Sequence, residues 1–221
     1  MSDKVMNKIK NGREYRAMMV EPVEDVTDQV VEGYATTFNQ PYYLYSFEDE
    51  RGTHAVREQV DSNAFKDADM SDVIMQYDHT GRVFARISNG TLGLEEDEHG
   101  LKIRANLSGT EIGRQLYEEI QGGYTNKMSF GFTVTEEEVT NDGPDYLRTI
   151  KRVGKLYDVS AVSLPANDFT EISARSHIDG VIEEIEAERL RAEKEAEEQR
   201  QRLEELQRRI LSLKGDTHED Q

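Results

Sequence analysis

The chain has 221 residues, and its 45 Asp and Glu against 27 Lys and Arg give a formal net charge of −18, so we expect no direct binding to the phosphate backbone of nucleic acid. It contains no cysteine, which excludes disulfides, thiolate metal ligands and a cysteine nucleophile. No apolar run approaches the roughly 20 residues needed to cross a bilayer, so we expect no membrane partner.

The first twelve residues, "MSDKVMNKIKNG", are polar and lack the apolar segment of a signal peptide, which predicts a flexible N-terminus at 1–12 and a cytoplasmic protein. Residues 13–175 contain short β-type runs separated by Gly, Asn and Asp. The predicted strands are "REYRAMMV", "QVVEGYATTF", "RVFARIS", "GLKIRANL", "MSFGFTV" and "KLYDVSAVSLP". The segment "LEEDEHGLKI" predicts a hairpin with its turn near His99-Gly100.

Two short helices interrupt the predicted strands. One begins near Asp61 in "DSNAFKDAD". The other is "SGTEIGRQLYEEIQGG", where Ser108 and Glu111 fit a capping box and Gly122-Gly123 ends the helix. Many strands with few helices predict a mainly β protein of the α+β class, built as a β-barrel or sandwich with helices packed outside.

Ser129 lies in the predicted strand "MSFGFTV". Strand periodicity places Phe130 and Phe132 on one face and Ser129 and Gly131 on the other. The phenylalanine face is the natural core face, and Gly131 leaves room for a substrate backbone beside Ser129. Periodicity alone is equally satisfied by an ordinary strand serine, so both interpretations stay open here.

A serine nucleophile needs a base to take its proton and usually an acid to hold that base. Neither a nucleophile elbow nor an S-x-x-K motif is present around Ser129. Among the five histidines, His79 in "VIMQYDHTGRVFARI" is the best placed, although a surface or hydrogen-bonded role is the alternative. Asp78 and His79 have no further ligand at metal-site spacing, so we expect neither a metal nor a cofactor.

The C-terminal region at 176–214 predicts one long helix followed by a tail at 215–221. Steps of four and three residues define a seam in which nine of eleven positions are apolar or Ala: Ile178, Ile182, Ile185, Arg189, Ala192, Ala196, Gln199, Leu203, Leu206, Ile210 and Leu213. Such a seam with charged flanks is typical of a coiled coil or of a helix that docks on another helix. A single solvated helix is the alternative.

Five separated blocks of the sequence resemble the tailed-phage prohead, or head-maturation, serine protease family. These blocks are "MQYDHT" before a strand, "TLGLEEDEHGLKIRANL", "GTEIGRQLYEEIQGG", "MSFGF" and "YDVSAVSLPANDFTE". They follow the family's order and spacing over residues 13–175. The C-terminal helix lies outside the resemblance.

The resemblance implies a serine endopeptidase domain at 13–175 with a fold similar to the herpesvirus capsid-assembly protease, a β-barrel flanked by helices. By its motifs Ser129 is the nucleophile, His79 the general base and Asp158 the acid that orients the base. Asp158 stands where relatives more commonly have glutamate, which shortens the reach by one methylene. The implied substrates are the major capsid protein, the scaffold and the chain itself, inside the prohead in the host cytoplasm.

Two other functions are compatible with the sequence. A catalytically silent assembly or scaffolding protein would act through the acidic helix, and a host-encoded regulatory protease would have no capsid substrate. By analogy with the herpesvirus enzymes we expect a homo-oligomer, a dimer or larger, that becomes active when concentrated.

Self-cleavage is expected at the junction 174–180. The aromatic segment "PYYLYSFEDE" predicts an edge strand, with a substrate loop or capsid contact as the alternative.

Overall fold

The computed structural model describes residues 4–8, 13–22, 29–163 and 168–215 of the chain. Two compact units are present, Met1–Ile178 and Asp179–Gln221. The described elements, in chain order, are β1 (Lys4–Lys8), β2 (Arg13–Pro22), β3 (Val30–Thr37), β4 (Tyr42–Asp49), β5 (Gly52–Val60), β6 (Ile74–Tyr77), β7 (Thr80–Arg86), β8 (Leu92–Glu96), β9 (Gly100–Asn106), α1 (Glu111–Gln121), β10 (Lys127–Asp142), β11 (Asp145–Val162) and α2 (Asp168–Gly215).

The frame of the first unit is a long antiparallel hairpin formed by β10 and β11. Along its free edge β10 pairs with β2 over Lys127–Thr133 and with β1 farther on. The free edge of β11 pairs in parallel first with β5 and then with β6. Each long strand therefore holds two shorter ones, and residues far apart in sequence meet on this hairpin.

The sheet curls into a half-barrel. Its main path runs β4-β5-β11-β10-β2-β3-β9-β8, and an isolated bridge between Phe38 and Val60 links the chain just after β3 to β5. The prediction of a mainly β protein with helices is confirmed, and β4, at one end of the path, is the predicted edge strand. The long C-terminal helix is also confirmed, as α2. It begins at Asp168, eight residues before the predicted start, so the predicted junction at 174–180 lies inside the helix.

The hydrophobic core lies against the predicted phenylalanine face of β10. Phe130 and Phe132 are almost fully buried, and their rings stack with centroids 4.6 Å apart. Leu116 and Ile120 of α1 belong to the same core cluster. This burial fixes the register of β10, because a shift by one residue would turn both rings out of the core.

The helix α1 begins two residues later than its sequence signal suggests. Its N-cap is Thr110, whose hydroxyl accepts a hydrogen bond from the backbone N–H of Gly113 at 3.0 Å. The prediction of Ser108 as the N-cap is wrong, because the Ser108 hydroxyl instead donates to the Asn106 side chain at 2.7 Å. The end of the helix is as predicted, with Gly123 in the left-handed region at φ +74°.

The segment "DSNAFKDAD" forms consecutive turns, and the helix predicted there is wrong. The Asp61 carboxylate accepts from the backbone N–H of Asn63, and the Asp61 carbonyl accepts from the N–H of Ala64. Ala64 and Phe65 are buried in the core. The apolar pair therefore anchors a turn, and the side-chain bonds of Asp61 compete with helix formation.

A buried network of ion pairs joins four strands of the sheet. Arg148 on β11 contacts Glu58, donates to Glu14 at 2.7 and 2.8 Å and donates to Glu137 at 2.6 Å. Arg16 on β2 donates to Glu58 at 2.6 and 2.8 Å. Burial alone would raise the pKa of Glu58, but the charges of Arg16 and Arg148 outweigh it and lower that pKa to about 2.

Candidate active site

His79 lies in a tight turn between β6 and β7. Tyr77 pairs with Thr80, so Asp78 and His79 form a two-residue hairpin loop. Both have positive φ, +48° and +56°, the backbone pattern of a type I′ turn. Gly and Asn favour this conformation, so these two residues hold it at a cost of roughly 1–3 kcal/mol each. Strain of this kind is characteristic of functional sites and persists only where the surroundings enforce it.

The turn is anchored to the end of β11 by Asp78. Its backbone N–H donates to the Ala161 carbonyl at 2.9 Å. Its carboxylate accepts from the backbone N–H of Ser163 at 3.0 Å and from the Ser163 hydroxyl at 2.9 Å. These three bonds fix where His79 stands relative to β11.

Replacing Asp78 with alanine tests this anchor. The change removes both carboxylate bonds and puts an alanine in the left-handed region, so we expect a loss of about 1–2 kcal/mol of unfolding free energy. Asp78→Asn keeps an acceptor and tolerates the backbone, so it should stay within about 0.5 kcal/mol of wild type. Urea unfolding measures both variants. Equal free energies of unfolding for Asp78→Ala and Asp78→Asn would show that the side chain at position 78 does not anchor the turn.

The side chain of Asp158 contacts the imidazole ring of His79. The His79 Nδ1 contacts Asp158 Oδ1, and the same oxygen accepts from the Ser160 hydroxyl at 2.7 Å. Arg13 Nη1 lies 4.0 Å from the other carboxylate oxygen, and its guanidinium stacks on the Tyr157 ring, 3.8 Å from the centroid. Asp158 is 1% exposed. A buried carboxylate with these neighbours is suited to holding an imidazole with its Nδ1 protonated.

A bulge in β11 directs Asp158 to this position. Gly131 of β10 pairs with Asp158, but the next residue, Phe132, pairs with Leu156, which leaves Tyr157 as the extra residue. Bulges bend a strand and re-aim the adjacent side chains, and they are frequent beside active sites. The sequence gives no sign of this bulge, because Tyr157 fits an ordinary strand.

Ser129 lies on the same face of the sheet as Asp158. It pairs directly with Ser160, while Gly131 pairs with Asp158. Diagonal neighbours of this kind have Cα atoms roughly 7–8 Å apart, so Ser129 and Asp158 are close neighbours on the sheet. The Ser129 side chain is buried, and its hydroxyl has no hydrogen-bond partner within the described residues.

His54 is a second histidine paired with an aspartate, but its ring is fully occupied. Its Nδ1 contacts the Pro144 carbonyl, and its Nε2 lies 2.8 Å from Asp49. The bond to Pro144 and then the bond to Asp49 raise the pKa of His54 above its ordinary value. Both ring nitrogens are committed, so His54 has no free nitrogen to take a proton from a serine.

Two residues of the site were not identified from the sequence, Ser160 and Arg13. Ser160 follows Asp158 by two residues on the same strand face, a spacing that becomes informative only once Asp158 is placed in the site. Arg13 lies on β2, far away in sequence.

Within the described ranges there is no group of three or more His, Asp or Glu side chains arranged to hold a metal ion. None of the described helices is long and apolar enough to cross a membrane.

The comparisons with known proteins agree on the class to which this chain belongs. A family model described as caudovirus prohead serine protease matches residues 15–183. The chain belongs to this family, whose match includes the segments that hold Ser129, His79 and Asp158.

The chain is also similar in sequence to one particular protein, the prohead protease of Enterobacteria phage HK97. It is 33% identical to this chain over 89 residues, which is 40% of this chain and 39% of the relative. The matched segment thus spans well under half the length of that relative. No solved structure matches the chain.

Proposed function

We propose that this chain is a serine endopeptidase of phage head maturation with a Ser129-His79-Asp158 triad. The observation that carries the proposal is the contact between His79 Nδ1 and Asp158 on the strand next to Ser129, on the same face of the sheet. A histidine held at Nδ1 by a buried carboxylate presents Nε2 as a base. Membership in the prohead protease family supports the same reaction class.

In the proposed reaction His79 Nε2 takes the Ser129 proton as the hydroxyl oxygen attacks the peptide carbonyl. The tetrahedral intermediate then collapses, and His79 returns the proton to the leaving amine. Water repeats the sequence on the acyl-enzyme and restores the serine. Asp158 holds the productive tautomer and stabilises the imidazolium throughout. Proton transfer by a positioned base such as His79 is typically worth about 10²–10⁴-fold.

The proposed substrates are the major capsid protein and the scaffold, cleaved inside the prohead. The name of the HK97 relative supports this setting. We also propose self-cleavage at the junction 174–180, a likeness to the herpesvirus capsid-assembly protease, and activation by self-association. All three proposals follow from the family resemblance. Intact-mass measurement of aged protein tests the self-cleavage, because it would detect a fragment that ends within 174–180.

Coexpression with the capsid and scaffold proteins of the phage tests the proposed function. Wild-type chain should convert both into defined fragments, and His79→Asn should leave them intact. Asn tolerates the left-handed backbone at position 79, so this variant removes the base without breaking the turn. Intact capsid and scaffold proteins in the presence of folded wild-type chain would overturn the proposal.

A second candidate function is assembly through the acidic C-terminal helix. The observation that favours it is that α2 is 48 residues long and that its described side chains from 190 to 209 are all exposed. Truncation after Arg189, which keeps the buried Ile178, Val181, Ile182 and Ile185, separates the two functions. If the truncated chain cleaves but no longer enters heads, the helix serves assembly; if it does both, the helix is dispensable for both tasks.

Ser160 is expected to position Asp158 in the proposed reaction. Ser160→Ala removes the 2.7 Å bond to the carboxylate, so kcat should fall about 10-fold while KM stays unchanged. Ser71→Ala is the matched control, because Ser71 donates an equivalent 2.7 Å bond to Asp69 two residues earlier, at the surface. A fall in kcat of the same size in both variants would contradict a positioning role for Ser160.

A further inference from the structure

The helix α2 exposes part of the seam that its sequence defines. Ile182 and Ile185, near the start of the seam, are buried, but Leu203 and Leu206 are 60% and 49% exposed. We call the following six residues the exposed seam, at alternating three- and four-residue steps: Arg189, Ala192, Ala196, Gln199, Leu203 and Leu206. Arg189 is half-buried and forms ion pairs with Glu186 and Glu193 of its own helix, and the other five are exposed. Spacing of this kind is the pattern of a helix that packs along another helix.

Charge along the flanks of the exposed seam is divided by sign. The flanking positions in its first half are Glu193 and Glu195, with Glu188 just before. In its second half they are Arg200 and Arg202, with Arg209 beyond. All six side chains are exposed. A seam whose flanks are acidic in one half and basic in the other is complementary to a reversed copy of itself.

We propose that the exposed seam binds the same seam of a second copy of this chain in antiparallel orientation. In the register centred between Ala196 and Gln199, these two residues face each other across the two copies. Ala192 then packs against Leu203 of the second copy, and Arg189 packs its aliphatic stem against Leu206. Large side chains thus meet small or flexible ones, and the alanines allow the two helices to approach closely.

The same register pairs every one of the six flanking charges with an opposite charge. Glu193 meets Arg200 of the second copy, and Glu195 meets Arg202. At the outer edge Glu188 meets Arg209. Each pair occurs twice because the arrangement is symmetric, and such flanking pairs select the partner and its orientation.

The parallel arrangement is disfavoured by the same charges. In a parallel pair Arg189 faces its own copy across the seam, and Glu188 lies next to Glu193 of the other chain. The single attraction between these flanks is Glu195 with Arg200. Like charges in such positions are destabilising, so orientation is specified by the order of the charges along the helix.

Disulfide trapping tests the orientation, and the chain has no cysteine of its own to interfere. Full-length Ala192→Cys and Leu203→Cys chains, with tags of different size, are mixed and oxidised. The antiparallel register predicts a mixed disulfide between the two variants, because residues 192 and 203 face each other. It predicts no disulfide between two copies of the same variant, since eleven residues of helix separate those positions by about 16 Å. Disulfides between identical variants, or none at all, would overturn the proposal.

Charge reversal tests the flanks by sedimentation of the full-length chain. Glu193→Arg with Glu195→Arg should weaken dimerisation at least about 10-fold, and so should Arg200→Glu with Arg202→Glu. Mixing these two double variants should restore dimers. The matched control is Glu204→Arg with Glu205→Arg, which reverses two charges off the seam and should leave dimerisation unchanged. A monomeric wild type, or equal effects of all three variants, would refute the interface whether or not the chain is a protease.

Discussion

Ser129→Ala is expected to reduce peptide-bond hydrolysis by about 10⁴–10⁶-fold, because it removes the oxygen that attacks the carbonyl in the proposed reaction. The same variant should be as stable as wild type or more stable, by up to about 1 kcal/mol. The Ser129 hydroxyl is buried without a hydrogen-bond partner in the described part of the chain, and an unpartnered buried hydroxyl costs free energy. Activity and stability therefore change in opposite directions.

Cleavage assays and urea unfolding on the same preparation measure both quantities. Thr133→Ala is the matched control, since Thr133 is a hydroxyl residue on the same strand outside the triad. Its hydroxyl accepts from the Lys155 backbone N–H at 3.2 Å, so its loss should lower stability and leave turnover largely intact. Residual hydrolysis near the wild-type rate in Ser129→Ala would exclude this serine as the nucleophile.

Arg148→Met is expected to lower the free energy of unfolding by about 3–5 kcal/mol. Arg148 is fully buried and contacts the carboxylates of Glu14, Glu58 and Glu137. Methionine fills much of the volume but leaves these carboxylates without their shared cation. Arg152→Met, on the same strand, is the matched control. Arg152 is 37% exposed and lies 3.7 Å from Asp67, so its loss should cost less than about 1 kcal/mol.

The effect of Arg148→Met should depend on pH. The pKa of Glu58 is lowered to about 2 in the folded protein, against an ordinary value of 4.5. The stabilisation that comes from this carboxylate is therefore present above about pH 4.5 and is lost as the pH falls toward 2. The stability gap between wild type and Arg148→Met should narrow over that interval. A gap that stays constant from neutral to acid pH, or equal costs for Arg148→Met and Arg152→Met, would contradict the role assigned to this network.

The sequence was sufficient to predict the elements that follow local rules. The alternation in "MSFGFTV" predicted which face of β10 packs in the hydrophobic core, and the amphipathic spacing of α1 predicted its position. Both features depend on residues that are close together in the chain and on which face packs in the core. The hydrophobic periodicity of one sequence is therefore enough to predict them. The seam in the C-terminal region likewise predicted α2.

The features that depend on distant pairing were not predictable from local patterns. Asp78-His79 lacks the Asn-Gly signature of a type I′ hairpin, so the turn that positions His79 was not recognised as one. In β5 the charged Glu58 is buried, a position explained only by Arg16 and Arg148 from two other strands. Composition predicts such charges at the surface, because the partners that make burial tolerable lie far away in the sequence.

The assignment of Asp158 depended on the family resemblance and not on periodicity. The structure now places it against His79, 79 residues away in sequence, and adds Ser160 as a second hydrogen-bond donor to the same oxygen. Ser160 also faces Ser129 directly across the two strands. Two buried serines therefore lie on the same sheet face, and the proposed function requires that only one of them reacts.

Mass-spectrometric mapping of the adduct formed with a serine-directed fluorophosphonate tests the triad most directly. We expect one phosphonyl group per reactive chain of the wild type, attached to the Ser129 oxygen, and none on His79→Asn, because without the base the hydroxyl is not activated. An adduct on Ser160 or on any other serine, labelling that persists without His79, or a folded wild type that never reacts would contradict the triad.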